Sequence, residues 1–189
     1  MRCIHVITLG DDTATSGDAD DGTLVKALRD GNMDALAELY RRYASACIAV
    51  AYRLLQSKEA AEDVVHDVYV GLPEAVRKYD ERGKFSPWVR QVTARVALSV
   101  LRREDLAARP ITADRSVAGI DVHARMTLES AVSALPASLR TVLVLKEIEG
   151  FSHAEIASML GISRGASEVR LHRALSQLRE SIMRGERDS

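Results

Sequence analysis

The sequence predicts an all-α protein of two small helical domains joined by a flexible linker, and three observations carry that prediction. Apolar residues recur every three or four positions through two long blocks of chain, the interval that lines one side of a helix. Aromatic residues make up only 4% of the 189 residues while Ala, Leu, Val, Arg and Glu dominate, a composition that packs helices with aliphatic side chains rather than building a sandwich of strands. Between the blocks, from 105 to 123, the periodicity disappears among Pro110, Gly119 and scattered Asp, Thr and Ser, which marks the linker.

Residues 1–22 are rich in Gly, Asp, Thr and Ser after a brief apolar start and read as a mobile arm. A first domain then spans 23–104. Leu24, Val25 and Leu28 form a short apolar face ending at Gly31, and Asn32 is placed to cap a longer helix with Leu36, Leu39, Tyr43, Cys47, Val50 and Leu54 on its inner side. Ser57 is the expected N-cap of the next helix, whose stripe is Ala61, Val64, Val65, Val68 and Leu72 and which Pro73 should kink or interrupt. The segment 77–85 reads as an irregular loop. Ser86 followed by Pro87 then starts a helix that runs to about Arg103.

The second domain spans 124–184 and is followed by a short tail, 185–189. Residues 126–135 and 137–148 read as helices separated at Pro136, with Gly150 suited to the exit. Ser152 and Glu155 form a capping box, and Phe151 and Ile156 a hydrophobic staple, so a new helix begins there. It ends at Leu160. Gly161 can take a left-handed backbone, Ile162 fills the core, and Ser163 caps a last helix ending near Met183. A short capped helix, a turn containing glycine and a second helix with basic residues describe a helix-turn-helix.

A formal net charge of −1 gives no overall pull toward nucleic acid, so a binding claim rests on local charge. From 77 to 103 eight bases face two acids, a local +6. Cys3 and Cys47 have no second Cys or His at metal-ligand spacing, and a reduced cytoplasmic setting with a buried, inert Cys47 is expected. No apolar stretch reaches bilayer length, so no membrane insertion is expected. No nucleophile triad, phosphate-cradling glycine loop or metal cluster supports catalysis, and no cofactor is expected.

Several segments together are similar to one family. Residues 61–68 (Ala-Glu-Asp-Val-Val-His-Asp-Val), Phe85-Ser86-Pro87-Trp88-Val89 through Leu101-Arg102-Arg103, Leu135-Pro136, Arg140, Gly150-Phe151-Ser152, Glu155-Ile156-Ala157, Leu160-Gly161-Ile162-Ser163 and Arg170-Leu171-His172-Arg173-Ala174 resemble extracytoplasmic-function sigma factors of the sigma-70 family. The resemblance covers about 23–183. It implies that the first domain is sigma region 2, a helical bundle that binds core polymerase and recognises and melts the minus-ten element. It implies that the second is sigma region 4, whose helix-turn-helix reads the minus-thirty-five element. Core RNA polymerase, through its beta and beta-prime subunits, promoter DNA and an anti-sigma factor are the implied partners.

The residues admit a physical account beside the resemblance. Glu62, Asp63, His66 and Asp67 lie opposite the Val64, Val65 and Val68 stripe, forming a mainly acidic face; the family docks this face on the polymerase clamp, whereas alone it would read as a solvated surface. Arg77, Lys78, Tyr79, Lys84, Phe85, Trp88, Arg95, Arg102 and Arg103 mix positive charge with aromatic rings, as needed to hold a single strand and stack its bases. Trp88, Arg95 and Arg102 recur on one helical face; the competing reading of Phe85 and Trp88 as core residues stays open on sequence alone. In the last helix Arg164, Ser167, Glu168, Arg170 and Arg173 are the candidate promoter contacts, with Arg164 suited to guanine, Glu168 to cytosine and the later arginines to phosphates. Surface salt bridges would explain the same charges.

Two departures from the family pattern stand out. Ala94, Arg95 and Ser99 replace the frequent Arg-Asn and later Asp of the Trp helix, and Ala166, Ser167, Glu168 and Val169 replace the usual Thr-Val, base and Ser of the recognition helix. The rival functional class is a stand-alone helix-turn-helix regulator binding duplex DNA as a dimer, its first half a sensor. The basic aromatic segment has no purpose in a sensor. A helical adaptor that binds only protein is disfavoured by that segment and by Arg170 and Arg173.

Overall fold

The structure, a computed structural model, describes residues 20–80, 84–107 and 128–187. Most of the expected arm at 1–22, most of the linker at 105–123, and Arg82 lie outside the described residues. Among the described residues there is no strand, and the helices are α1 (Asp21–Arg29), α2 (Met33–Leu55), α3 (Lys58–Ala75), α4 (Phe85–Ala107), α5 (Leu128–Ser133), α6 (Ala137–Leu143), α7 (His153–Leu160) and α8 (Arg164–Arg187). A 3-10 turn, Val76–Lys78, follows α3, and a π turn, Val144–Ile148, follows α6. None of these helices is long and apolar enough to cross a membrane.

By contacts the chain divides into two compact units, and the division falls inside α4: the first unit takes Ser57–Val96 together with the chain up to Tyr52, and the second takes Arg53–Gln56 with the chain from Ala97 onward. Helix α4 also continues three residues past the expected domain end at 104, to Ala107.

In the first unit the end of α1 and the starts of α2 and α3 have local causes, whereas α4 begins at Phe85, one residue before the expected cap Ser86. Gly31 adopts φ 91°, and the amides of Gly31 and Asn32 donate back to the Leu28 and Ala27 carbonyls at 3.0 and 2.9 Å, closing α1 with the paired bonds of a Schellman turn. The Asn32 side chain then accepts from the Asp34 amide at 2.9 Å, capping α2 as its position predicts. Ser57 caps α3 by accepting from the Ala60 amide at 3.3 Å. Pro73 does not interrupt α3. The helix continues through it to Ala75, and buried Leu72 and Val76 hold the last turn against the core.

The core of this unit gathers Leu24, Val25 and Leu28 of α1, Leu39 and Cys47 of α2, Val65, Val68 and Leu72 of α3, and Phe85 and Val89 of α4. Polar ties fix the pieces. Arg42 of α2 ion-pairs with Glu38 at 2.7 Å and Asp21 at 3.3 Å, and the Tyr43 hydroxyl donates to Asp21 at 2.5 Å. Arg29 donates to the carbonyls of Val76 at 2.8 Å and Tyr79 at 2.6 Å, gripping the backbone where it leaves α3. The Tyr69 hydroxyl donates to the Leu39 carbonyl at 3.3 Å, and burial pushes this phenol far above its ordinary titration range.

In the second unit α8 packs against α5, α6 and α7. Buried Arg140 stitches the corner between α5 and α6 by donating to the Ser133 and Leu135 carbonyls at 3.1 and 2.9 Å, groups that the break at Pro136 exposes; desolvation lowers its pKa. After α6 the backbone widens to π geometry over Val144–Ile148, and with Gly150 at φ 74° the chain reverses into Phe151.

Candidate nucleic-acid and protein interfaces

The helix-turn-helix is built by short-range chemistry. The Ser152 hydroxyl accepts from the Glu155 amide at 3.2 Å, and Glu155 Oε2 accepts from the Ser152 amide at 2.8 Å, so both halves of the expected capping box form. Gly161 closes α7 at φ 65°, a left-handed conformation that disfavours side chains, and the Ile162 amide donates to the Ala157 carbonyl at 3.0 Å. Ser163 accepts from the Ala166 amide at 3.1 Å and starts α8. Phe151 and Ile156, the expected staple pair, are both buried.

Rotation of α8 about its axis decides which side chains face outward. Ala174, Leu178 and Ser167 are buried, and Ser167 at 0% exposure hydrogen-bonds to His153 Nδ1 at 2.9 Å. A DNA contact from Ser167 is therefore corrected: the hydroxyl lies between α7 and α8. Arg164 and Glu168 are exposed but pair with each other at 2.9 Å, Arg170 is half-buried on the flank, and Arg173 faces solvent. The outward face also carries Gly165, Val169 and His172, which are not among the contacts expected from the sequence. Their signal was present in the period of the buried stripe, counted back from Ala174 and Leu178.

On α3, Glu62, Asp63, His66 and Asp67 are all exposed along one face, opposite buried Val64, Val65 and Val68. Lys58 reaches Glu62 at 3.6 Å, a surface pair that leaves the face predominantly acidic. Val70, 67% exposed, extends this face toward the helix end and was not foreseen.

The basic segment separates into cations outside and rings inside. Arg77, Lys78, Lys84, Arg95, Arg102 and Arg103 are exposed; Arg77 pairs with Glu74 at 3.4 Å, and Arg103 donates to Ser99 Oγ at 3.3 Å. Tyr79 and Phe85 are only 8% and 2% exposed. Base stacking on these two rings is corrected accordingly, because their faces are used internally: Tyr79 meets Phe85 and Trp88 with centroids 5.8 and 4.9 Å apart, and Tyr43 meets Phe85 at 5.4 Å. Trp88 is half-buried at the edge of this cluster, 5.6 Å from Phe85, and keeps part of its indole available. Arg95 lies two turns further along α4 on the same face.

Described residues without a strand, a capped helix-turn-helix with an arginine on the outer face of its second helix, and a separate helix lined with exposed cations define a DNA-binding protein of transcription. The comparisons with known proteins make this specific. The profile of sigma-70 region 2 matches residues 39–106, and that of sigma-70, region 4 matches residues 125–178. The chain is 30% identical over 165 residues to the RNA polymerase sigma factor CarQ of Myxococcus xanthus, covering 84% of this chain and 95% of that protein. It is 30% identical over 161 residues to the ECF RNA polymerase sigma factor SigE of Mycolicibacterium smegmatis, covering 79% of this chain but only 62% of that longer relative.

Among solved structures, CnrH in complex with the cytosolic domain of CnrY superposes with a TM-score of 0.51 at 26% identity, covering 91% of this chain and all of that one. The sigma factor RpoE in complex with the anti-sigma factor NepR from Bartonella quintana gives 0.52 at 20% identity, covering 76% of this chain and 94% of that one, a likeness of fold. The chain belongs to the sigma-70 family, among the extracytoplasmic-function RNA polymerase sigma factors.

Proposed function

We propose that this sigma factor directs promoter-specific initiation by dividing the work between its surfaces, and that it acts in the cytoplasm without catalysing a reaction itself. The acidic face of α3, with Glu62, Asp63, His66 and Asp67, docks on the beta and beta-prime subunits of core polymerase. The exposed cations Arg77, Lys78, Lys84, Arg95, Arg102 and Arg103, with the open edge of Trp88, hold the opened minus-ten strand, while Tyr79 and Phe85 brace Trp88 from within. Helix α8 enters the major groove of the minus-thirty-five element through its outward face, with Arg173 and Arg170 on phosphates. An anti-sigma factor is the expected regulator, as the complex of RpoE with the anti-sigma factor NepR shows for that protein.

The observation that carries this reading is the pairing, in one chain, of a helix-turn-helix with a second set of exposed cations on and just before the helix that carries a half-buried tryptophan. A stand-alone regulator needs the first and has no use for the second. The test is to add the purified chain to core polymerase and a promoter panel and to map open complexes with permanganate. Promoter-specific melting dependent on the chain is expected. Tight duplex binding by the chain alone, with no association with core enzyme, overturns the proposal.

A further inference from the structure

The centre of the outward face of α8 is apolar where its surroundings are charged. Val169 is 50% exposed, directly opposite the buried stripe of Ser167, Ala174 and Leu178, with Glu168 and Arg173 beside it. One helical turn earlier stands Gly165. A Cβ built there meets nothing within 4 Å, so no packing inside the protein calls for glycine, although glycine is a poor helix former. Residues four apart on a helix are surface neighbours, so the pair forms a shallow apolar notch between charged groups. On the major-groove edge of a base pair the apolar group to be matched is the thymine C5-methyl.

We infer that Val169 is a specificity-determining residue that packs on the 5-methyl group of a thymine in the upstream promoter element, with Gly165 giving the clearance for that approach. The inference rests on the proposed entry of α8 into the major groove. It replaces the promoter contact expected from Ser167, whose hydroxyl is turned inward to His153. It also explains why an exposed valine is tolerated on a face that is otherwise polar: contact with a methyl group removes apolar surface from water on both sides.

The test uses the full chain with core polymerase to select its preferred promoter from a library randomised upstream of the start site. Each thymine of the selected upstream element is then replaced singly by deoxyuridine, which lacks only the methyl. One replacement should weaken binding by roughly three- to fivefold, the effect of one buried methyl. Val169→Ala should bind thymine and deoxyuridine equally at that position and still respond to changes at the others. Gly165→Ala should raise the melting midpoint of the protein while weakening binding to the same promoter.

If no deoxyuridine replacement matters, or if Val169→Ala still distinguishes the methyl, the inference is overturned and the sigma reading stands. Unchanged promoter affinity in Gly165→Ala overturns the clearance role. If the holoenzyme selects no upstream sequence at all, the placement of α8 in the groove fails and the inference fails with it.

Discussion

His153 at the start of α7 and Ser167 in the first turns of α8 share a hydrogen bond of 2.9 Å between Nδ1 and Oγ, with Ser167 fully buried. A polar pair therefore spans the two helices of the DNA-reading motif, where an apolar contact would be the simpler solution. Ser167→Ala should destabilise the second unit by about 1 kcal/mol, and the double variant with His153→Ala should show a coupling energy of similar size. Urea unfolding of the four proteins in the cycle measures both. Strict additivity would show that the two side chains do not act as a pair.

The aromatic cluster makes a sharper contrast. Phe85→Ala should cost about 3–5 kcal/mol, because a fully buried ring is removed from among Tyr43, Tyr79 and Trp88. Lys84→Ala, one residue earlier and exposed, should change stability by less than about 0.5 kcal/mol while weakening binding to a pre-opened minus-ten bubble. Thermal melts and binding to bubble templates separate the two effects.

Acid should loosen the tie between Glu38 and its arginines. The hydrogen bond from Arg42, helped by the charge of Arg41, holds the Glu38 carboxyl below its ordinary value of 4.5 against a smaller opposing effect of desolvation. A carboxyl depressed in the folded state contributes stability above the unfolded value, and that contribution is lost as pH falls through the folded one. Glu38→Gln should therefore be less stable than the parent at neutral pH, and the difference should shrink as pH drops below about 4.5. A series of unfolding midpoints from pH 7 to pH 3 checks the convergence.

Charge on α8 should appear in the salt dependence of promoter binding. Arg173→Ala should lower the slope of log affinity against log salt by about one, with little change in sequence preference. Glu168→Ala releases Arg164 from its 2.9 Å partner and should instead alter sequence preference. Binding titrations across a range of salt concentrations on two promoter sequences distinguish the two kinds of change.

What was legible in the sequence follows the range of the interactions involved. The Ser152–Glu155 capping box, the Asn32 and Ser57 caps and the turn at Gly161 depend on neighbours a few residues away, and each stands where the residue pattern places it. The acidic face of α3 was equally readable, because Val64, Val65 and Val68 fix the helix rotation from their spacing alone. The polarity of Ser167 points outward, but the stripe through Ala174 and Leu178 turns it inward. Tyr79 and Phe85 look the same in sequence whether they cover a core or await a base. Only the packing of α2 against the start of α4 decides between these, and that contact joins residues about forty apart. Pro73 predicts a break by its own chemistry, but the burial of Leu72 and Val76 on either side of it depends on packing that the local pattern does not contain.

The grip of Arg29 on Val76 and Tyr79 has a consequence for how the first unit breathes. A single guanidinium on α1 fastens the backbone at Val76 and Tyr79, at the start of the basic segment, so detaching α1 also frees those residues. Whatever lifts that small helix thereby acquires leverage over a surface on the far side of the sequence, and deuterium uptake by α1 and by 76–79 should rise together.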